Sequence, residues 1–397
     1  MTTGGRTVFC GEKGKNSSHL IDYFQGLGGT KINRGENAAT WMLNLITTSR
    51  DEGTPDYADL FERSEQHAKI INDIDQITEG ATEGTKITYE SVHATSRNMR
   101  HWLVRKRLML IYWRSPSYNR SRLLLSILVA FLLASVFLHN RRPEVMSEQE
   151  ISSVFSTIFL SFIITGIMAI TTVLPVMLKI RNVFYRHRAA GMMDHTSMAL
   201  ALGFAEEGFV LLSSALFCVV FYFTIGLETN FRKFVAFWGF FTFNLGISSY
   251  FGQAFMCLVP TLGTASILCS VLIGMNNFFS GLIVRPQYLN GFWQAPYWIT
   301  PGRYVYEGLM ASQFSQDTRT VCANTDSMFY NDLNCTIVQT DIQCSCNGTV
   351  TEFFYVYFGN RFQHDNLFLN ALVLGFILLL ARLLTFWALK QFNYTSV

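Results

Sequence analysis

The sequence predicts a mainly α-helical, polytopic membrane protein with six transmembrane helices, preceded by a small polar α/β region. Half of the 397 residues are apolar and only 15% are charged, whereas soluble domains average about 25% charged residues. The first 122 residues hold 31 charged side chains and the other 275 hold 28. This composition excludes a single soluble globule and a disordered chain. A net charge of +3 does not indicate a nucleic-acid partner.

Residues 1–48 are polar and contain a glycine-rich stretch, Gly11 to Asn16, that superficially resembles a phosphate-binding loop. Such a loop needs a glycine, four residues, Gly-Lys and then serine or threonine. Here Phe9 occupies the first glycine position and Asn16 the hydroxyl position. We therefore expect a glycine-rich turn between short strands. No catalytic residue and no metal ligand is predicted anywhere in the chain.

Residues 49–96 are expected to form a polar linker, followed by an interfacial amphipathic helix over residues 97–121. Its apolar side chains fall near one helical stripe, while the basic residues fall mainly elsewhere, a pattern typical of helices in the membrane interface. The alternative is a surface helix of the soluble region. The stripe consists of Met99, Trp102, Leu103, Met109, Leu110 and Trp113.

The membrane domain is predicted over residues 122–389. A helix needs about 20 mostly apolar residues to cross about 30 Å of hydrocarbon. Six segments meet or nearly meet this length: 122–139, 151–178, 198–226, 234–260, 262–284 and 366–389. Lysine and arginine concentrate before the first segment, in the loop 179–197 and in the tail 390–397. The positive-inside rule therefore places both termini in the cytosol.

The loop 285–365 is then extracellular, and it contains four cysteines: Cys322, Cys335, Cys344 and Cys346. Four cysteines in an oxidising compartment predict two disulfides, with three connectivities open. A zinc site is the alternative, but no paired Cys-x-x-Cys spacing is present. The loop also carries glycosylation sequons at Asn334 and Asn347.

Two adjacent acids, Glu206 and Glu207, lie inside the third segment, and Arg382 lies at a matching depth in the sixth. Charged groups at membrane depth are costly and are usually paired or functional. We expect Arg382 to pair with one of the two glutamates. The other would face a water-filled crevice or stay protonated.

Several motifs, in order, resemble those of the pleiotropic drug resistance group, which are full-length ABC transporters of the G subfamily. Residues 4–11 (GGRTVFCG), 20–24 (LIDYF) and 37–43 (NAATWML) are similar to the segment that closes a nucleotide-binding domain in that group. Residues 184–192 (FYRHRAAGM) resemble its loop between spans two and three. Ala38 replaces a usual proline and His187 a usual glutamate. The Walker A, signature and Walker B motifs of the group are missing from this sequence.

The resemblance implies an ABC-2 type transmembrane domain, the C-terminal membrane half of an ATP-driven exporter of amphiphilic small molecules or lipids. It also implies that residues 1–48 are an incomplete remnant of a nucleotide-binding domain. ATP and magnesium would bind on nucleotide-binding domains outside this chain, which itself binds no cofactor. The expected partners are the bilayer, the other transporter half, those domains and the substrate. The expected location is the plasma membrane.

The resemblance further implies a coupling loop, a gate and a pathway. The coupling residues would dock on a nucleotide-binding domain, although simple membrane anchoring needs the same charges; they are Arg181, Phe184, Tyr185, Arg186, Arg188 and Gly191. Leu282 and Ile283 match the apolar gate. The pathway would lie between spans two and five, with lipid-facing phenylalanine and small packing residues as the alternative. Its candidates are Phe159, Phe162, Thr165, Met168, Ser270, Gly274, Asn276 and Asn277.

Two other functions stay open. The chain could be a channel or proton-coupled carrier that uses Glu206, Glu207 and Arg382. It could also be a membrane scaffold whose outer loop binds a partner without transport.

Overall fold

The computed structural model describes residues 5–48, 56–80, 95–137, 145–323, 346–359 and 361–394. The chain divides into two compact units, residues 1–92 and residues 93–397. Each unit has a hydrophobic core of its own.

The N-terminal unit is a small helical cluster around Phe24. It contains α1 (Ser18–Gly26), α2 (Ala38–Thr48), α3 (Tyr57–Glu62) and α4 (Glu65–Gly80). The rings of Trp41 and Tyr57 meet Phe24 edge-on, with centroids 6.3 and 5.4 Å away. The described residues of this unit form no strand, so the short strands expected around the glycine-rich turn are not found there.

The predicted linker 49–96 needs a correction, because α3 and α4 fall inside it. Tyr57, Ala58 and Phe61 of α3 are buried, and Tyr57 and Ala58 belong to the same core as Phe24 and Trp41. Arg6 fastens the start of the chain to this helix: it forms ion pairs with Asp56 at 3.0 Å, with Glu62 at 3.2 Å, and with Asp59. The Arg6 guanidinium lowers the pKa of Asp59.

The C-terminal unit is built from ten α-helices over its described residues. They are α5 (Arg97–Arg114), α6 (Pro116–Ser135), α7 (Glu148–Ala189), α8 (His195–Ile225), α9 (Phe231–Leu258), α10 (Leu262–Phe278), α11 (Gln294–Ile299), α12 (Pro301–Phe314), α13 (Val350–Tyr357) and α14 (Leu367–Gln391). Among the described helices, α6, α7, α8, α9 and α14 are long and apolar enough to cross a membrane. The fifth predicted span corresponds to α10, an apolar helix of only 17 residues.

Helix α9 is central to the membrane bundle, because α7, α8, α10, α12 and α14 all pack on it. Lipid tails are as apolar as leucine, so close packing and buried hydrogen bonds must hold such helices together. The Phe217 and Phe241 rings stack between α8 and α9 with centroids 4.5 Å apart. Asn244 of α9 donates to the Phe162 carbonyl of α7 at 2.8 Å.

Helix α7 begins at a capping box formed by Ser147 and Glu150 and runs for 42 residues. At 1.5 Å per residue this is about 63 Å, roughly twice the hydrocarbon thickness. The helix therefore continues through residues 179–189, where the sequence predicted a loop. The connection to α8 shrinks to residues 190–194. This corrects the predicted loop 179–197.

Three short strands form a sheet from distant parts of the chain. β1 (Val145–Ser147) pairs in parallel with β2 (Thr320–Ala323), and β2 pairs antiparallel with β3 (Cys346–Thr349). The sheet thus ties the residues before α7 to two segments inside the predicted outer loop. The loop's central residues, 324–345, lie outside the described residues.

Candidate functional site

The helices of the C-terminal unit enclose a buried polar network around Glu206. The Arg122 Nη1 lies 2.7 Å from Glu206 Oε1, and both side chains are almost fully buried. Tyr118 donates its hydroxyl to the same carboxylate oxygen at 2.7 Å, and Gln253 Nε2 donates to Oε2 at 3.2 Å. Arg122 also donates to Ser249 at 3.1 Å. Side chains from α6 and α9 therefore supply Glu206 with a cationic partner and with hydrogen bonds to both carboxylate oxygens.

Arg382 belongs to this network but does not pair directly with a glutamate, which corrects the pairing expected from depth alone. Its Nη1 donates to Gln253 Oε1 at 2.9 Å, and its Nη2 donates to the Ala199 carbonyl. The guanidinium also lies over the Tyr250 ring, 4.7 Å from the centroid. Arg382 is linked to Glu206 through Gln253.

Glu207 has a different environment from its neighbour. It accepts a hydrogen bond from the Tyr250 hydroxyl at 2.7 Å and is only partly buried. It lines a cavity between α8, α9 and α14 whose other walls include Leu211, Trp238 and Leu378. The two adjacent acids thus differ: one is enclosed by partners and the other borders a cavity.

The sequence reasoning missed Arg122, because it stands at the edge of the first predicted span among other basic residues. In the structure α6 begins at Pro116, so Arg122 lies more than one turn inside the helix. The predicted connecting helix 97–121 accordingly ends early, at Arg114. The signal available was the pair Tyr118 and Arg122, which share one face at a spacing of four residues.

A second buried ion pair, also missed, lies in α12. Arg303 Nη2 is 3.4 Å from Glu307 Oε2, and both side chains are almost fully buried. The Arg303 guanidinium stacks over Trp298 at 3.8 Å from the centroid. Asn366 donates to the other oxygen of Glu307 at 3.1 Å.

The predicted pathway residues of α7 face the interior of the chain. Phe159 and Phe162 are buried and pack against Tyr306 of α12, with ring centroids 5.5 and 5.8 Å away. Thr165 is buried and donates to the Ser161 carbonyl at 2.7 Å, and Met168 is half-buried. The exposed face of α7 carries other residues, among them Leu160, Ile167 and Thr171.

The predicted pathway residues of α10 divide between two faces. Ser270 and Gly274 are exposed, whereas Asn276 and Asn277 are half-buried. Asn276 accepts a hydrogen bond from the Gly302 backbone N–H at the start of α12 and lines a small cavity shared with α7 and α9. Only Ala265 and Cys269 of α10 are buried, so this helix is the least covered in the bundle.

The predicted gate lies beyond the end of α10 rather than on it. Leu282 packs on the main core, while Ile283 is 56% exposed. The chain turns here at Gly281, whose φ is +106°, and a Cβ at this position would meet the Phe362 ring. The glycine therefore permits both the turn and the close contact.

Three of the predicted coupling residues are interior residues: Arg181, Phe184 and Tyr185 are all buried. Arg181 donates to the carbonyls of Val259 at 2.5 Å, of Pro260 at 2.8 Å and of Met256, at the C-terminal end of α9. Helix ends leave such carbonyls without partners, and a cation is favourable there.

Arg188 likewise binds the terminal carbonyls of a second helix. It donates to the Leu389 and Lys390 carbonyls at the end of α14, at 2.8 and 3.0 Å. Arg186 and Gly191 are exposed, and Gly191 has a φ of +69°. The C-terminal end of α7 therefore holds the ends of α9 and α14 and leaves Arg186 and Gly191 accessible.

The predicted outer-loop modifications fall largely outside the described residues. This applies to Cys335, Cys344 and Asn334, and to the side chains of Cys346 and Asn347. The backbone places Cys322 opposite Asn347 and Ala323 opposite Cys346 across β2 and β3. The described residues contain no cluster of three or more histidine, cysteine, aspartate or glutamate side chains that could hold a metal ion.

The known proteins that this chain is similar to include several members of the ABC transporter G family. The chain is 30% identical to ABC transporter G family member 31 of Arabidopsis thaliana over 365 residues, which are 91% of this chain and 24% of that protein. It is 30% identical to ABC transporter G family member 32 of Oryza sativa subsp. japonica over 400 aligned residues, 99% of this chain and 26% of that protein. The chain thus spans about a quarter of the length of the curated relatives it matches.

The family profile of the ABC-2 type transporter matches residues 100–314. This region begins in α5 and ends at the last residue of α12, so it contains the Arg122–Glu206 pair and five of the six predicted spans. Since the match covers more than half of the 397 residues, the chain belongs to the ABC-2 type transporter family.

Proposed function

We propose that this chain is the transmembrane half of an ATP-driven exporter of amphiphilic small molecules or lipids. The observation that carries the proposal is the ABC-2 family match over residues 100–314, which is supported by ABC transporter G family relatives along almost the whole chain. ATP would be hydrolysed, with magnesium, by nucleotide-binding domains, because this sequence has no Walker motif.

The cytosolic end of α7 is the proposed coupling element. Arg181 and Arg188 bind the last carbonyls of α9 and α14, so a displacement of this end would move three helices as one rigid body. The exposed Arg186 and the turn at Gly191 form the surface that would dock on a nucleotide-binding domain. Arg181, Phe184 and Tyr185 would act as anchors inside the bundle.

The proposed pathway lies along the exposed faces of α7 and α10, which pack on each other. Ser270 and Gly274 remain candidates on α10, together with Leu160, Ile167 and Thr171 on α7. A mixture of aliphatic and hydroxyl groups suits amphiphilic ligands. The other half of the transporter would supply the opposite wall.

Finer assignments belong to the same proposal. They are membership of the pleiotropic drug resistance group, a plasma-membrane location, six spans with α10 as the fifth, cytosolic termini and glycosylation at Asn334 and Asn347. Two disulfides among Cys322, Cys335, Cys344 and Cys346 of the outer loop are also proposed. The NAATWML segment at residues 37–43 supports an N-terminal remnant of a nucleotide-binding domain.

The alternative of a proton-coupled carrier receives less support. A proton relay needs an acid that gains and loses its proton on each cycle, yet Glu206 is held by Arg122, Tyr118 and Gln253. Such a network is expected to fix helix positions. Of the two adjacent glutamates, Glu207 lies at the edge of a cavity and retains the exposure that a relay would need.

The decisive experiment exchanges the corresponding membrane half of the Arabidopsis member 31 for this chain. We expect inside-out vesicles with this chimera to accumulate the fluorescent amphiphile rhodamine 6G only when ATP is present. Arg186→Glu should lower this uptake at least tenfold at equal protein level. Arg232→Glu is the matched control, because Arg232 is equally exposed but lies at the opposite end of the bundle.

The chain alone, reconstituted in liposomes that contain the pH dye pyranine, separates the proposal from the carrier reading. A pH gradient should decay no faster than in empty liposomes. Proton flux through the chain alone, abolished by Glu207→Gln, would favour the carrier. Rhodamine 6G uptake by the chimera that does not depend on ATP would contradict the proposal of an ATP-driven exporter.

A further inference from the structure

An apolar cavity opens between α5 and the cytosolic end of α7. Its volume is about 130 Å³, similar to the roughly 150 Å³ of an engineered apolar cavity that binds benzene. Its walls are formed by apolar side chains that are otherwise buried in the protein, among them Leu108, Ile180, Phe184 and Met198. A cavity of this size and lining suits a stretch of hydrocarbon chain. Its apolar walls would not stabilise a ligand that is polar throughout.

The rim of the same cavity is cationic. Arg107 of α5 and Lys179 of α7 both line it, and both side chains are exposed. Arg107 Nη1 lies 3.0 Å from His187 Nδ1. Since an arginine can only donate, Nδ1 accepts and the remaining ring proton sits on Nε2. The rim therefore offers two full positive charges and an imidazole N–H donor, and none of the described residues that line the cavity is acidic.

The position of the cavity matches the membrane surface. Lys179 is the first charged residue after the long apolar run of α7. On α5, Val104, Leu108 and Tyr112 are buried against the bundle, while Trp102, Leu110 and others remain on the outer face. Exposed tryptophans beside lysine and arginine are typical of the interfacial region. The cavity thus opens where phosphates lie above and acyl chains below.

From these three features we propose that this cavity binds one anionic phospholipid of the cytosolic leaflet. An acyl segment fills the apolar walls, and the headgroup phosphate is held by Arg107, Lys179 and His187. Opposite charge at the rim and hydrocarbon in the interior select a lipid rather than a free phosphate or a neutral apolar molecule. The site lies between α5, which leads into the first span, and α7, so lipid occupancy would brace these two helices.

The first test titrates the full chain in detergent with phosphatidylserine and, separately, with phosphatidylcholine, and counts bound lipid by native mass spectrometry. Each cation near an anionic headgroup contributes about fivefold in affinity. Arg107→Gln combined with Lys179→Gln should therefore weaken phosphatidylserine binding about 25-fold and bring it to the phosphatidylcholine level. Lys106→Gln is the matched control, because Lys106 lies on the same helix with its ammonium over the Trp102 ring and does not line the cavity.

The second test blocks the apolar part. Val183 lines the cavity and is 40% exposed, so Val183→Phe should fill the cavity and lower lipid occupancy at least fivefold without unfolding the chain. Val219→Phe, at an exposed valine of α8 outside the cavity, controls for added apolar surface. Thermal melting confirms that all variants fold.

Equal affinity for the two lipids, or unchanged binding in either cavity variant, would overturn the proposal. So would a loss of ATP-dependent transport in Val183→Phe with unchanged lipid counts, because that result would show that a protein surface occupies the cavity. The lipid counts use the chain alone, so they stand independently of the exporter assignment.

Discussion

Arg122 and Glu206 show how single residues decide the interior of this protein. Moving an isolated charge out of water is costly, and the cost is recovered only when a partner and hydrogen bonds satisfy it. Here the two charges are 2.7 Å apart, and Tyr118, Ser249 and Gln253 complete their hydrogen bonding. The network joins α6, α8 and α9, and through Arg382 it also reaches α14.

At the same scale, Arg122→Met should be strongly destabilising, because it leaves the Glu206 carboxylate buried without its cation. Breaking a buried pair in this way costs about 3–5 kcal/mol. Thermal unfolding in detergent measures the loss. Arg120→Met, on the same helix but exposed, should leave the melting temperature nearly unchanged.

The double variant Arg122→Met/Glu206→Met tests whether the unpaired Glu206 carboxylate causes the loss of stability. Two apolar side chains of similar size need no mutual charge compensation, so most of the lost stability should return. If the double variant melts as low as the single one, the pair is not the source of the effect.

The membership of this network was only partly predictable. Glu206, Glu207 and Arg382 were recognisable because charges are rare inside apolar segments. Their connections were not, because depth along a helix gives no information on rotation about its axis. The same holds for Arg122. Its position at the edge of a predicted span suggests a residue that anchors the helix at the membrane surface, yet its side chain points into the bundle.

At the scale of elements, α7 has the largest consequence for mechanism. Its last turns carry two arginines, seven residues apart, and each binds the carbonyl end of a different helix. The charges that predict a cytosolic loop therefore belong to a continuous helix that holds α9 and α14. A rigid helix transmits displacement better than a loop does.

Removing one of these contacts should loosen one helix end specifically. Arg188→Ala deletes two hydrogen bonds to the last turn of α14, and for a partly exposed cation we expect a loss of about 1 kcal/mol. Hydrogen exchange in that turn should rise about fivefold. The end of α9, held by Arg181, should keep its protection.

Arg186→Ala is the control for this experiment, since Arg186 is exposed in the same turn of α7. It should leave exchange in α14 unchanged. Equal acceleration in both variants would mean that charge density, rather than the carbonyl contacts, stabilises the end of α14.

At the scale of the whole molecule, topology is the property to test. The proposed orientation places the sequons at Asn334 and Asn347 outside, whereas the sequon Asn119-Arg120-Ser121 lies on α6, where Asn119 is buried. In eukaryotic cells Asn334→Gln and Asn347→Gln should each increase gel mobility by one glycan, and endoglycosidase treatment should abolish the difference. Asn119→Gln should migrate as the unchanged chain does, and a shift for this variant would contradict the orientation.

The whole molecule also shows why the sequence did not reveal which face of α7 is buried. Soluble helices reveal their core face through apolar periodicity, but in a bilayer the lipid-facing side is apolar as well. Phe155, Phe159 and Phe162 of α7 are therefore compatible with a pathway, with lipid or with a core. Packing against Tyr306, Phe314 and Phe358 assigns them to the core.

The sequence by itself determined that this protein is embedded in a membrane and mostly helical, and approximately where each apolar helix lies, because burial in lipid depends on local composition summed over about 20 residues. Its motifs also pointed to the transporter family. Only the tertiary structure decided which charges pair, which face of each helix is enclosed, that α3 joins the N-terminal core, and that α7 continues as one helix through residues 179–189. These properties depend on contacts between residues far apart in sequence, such as Arg122 with Glu206 and Arg188 with Leu389, which no local pattern specifies.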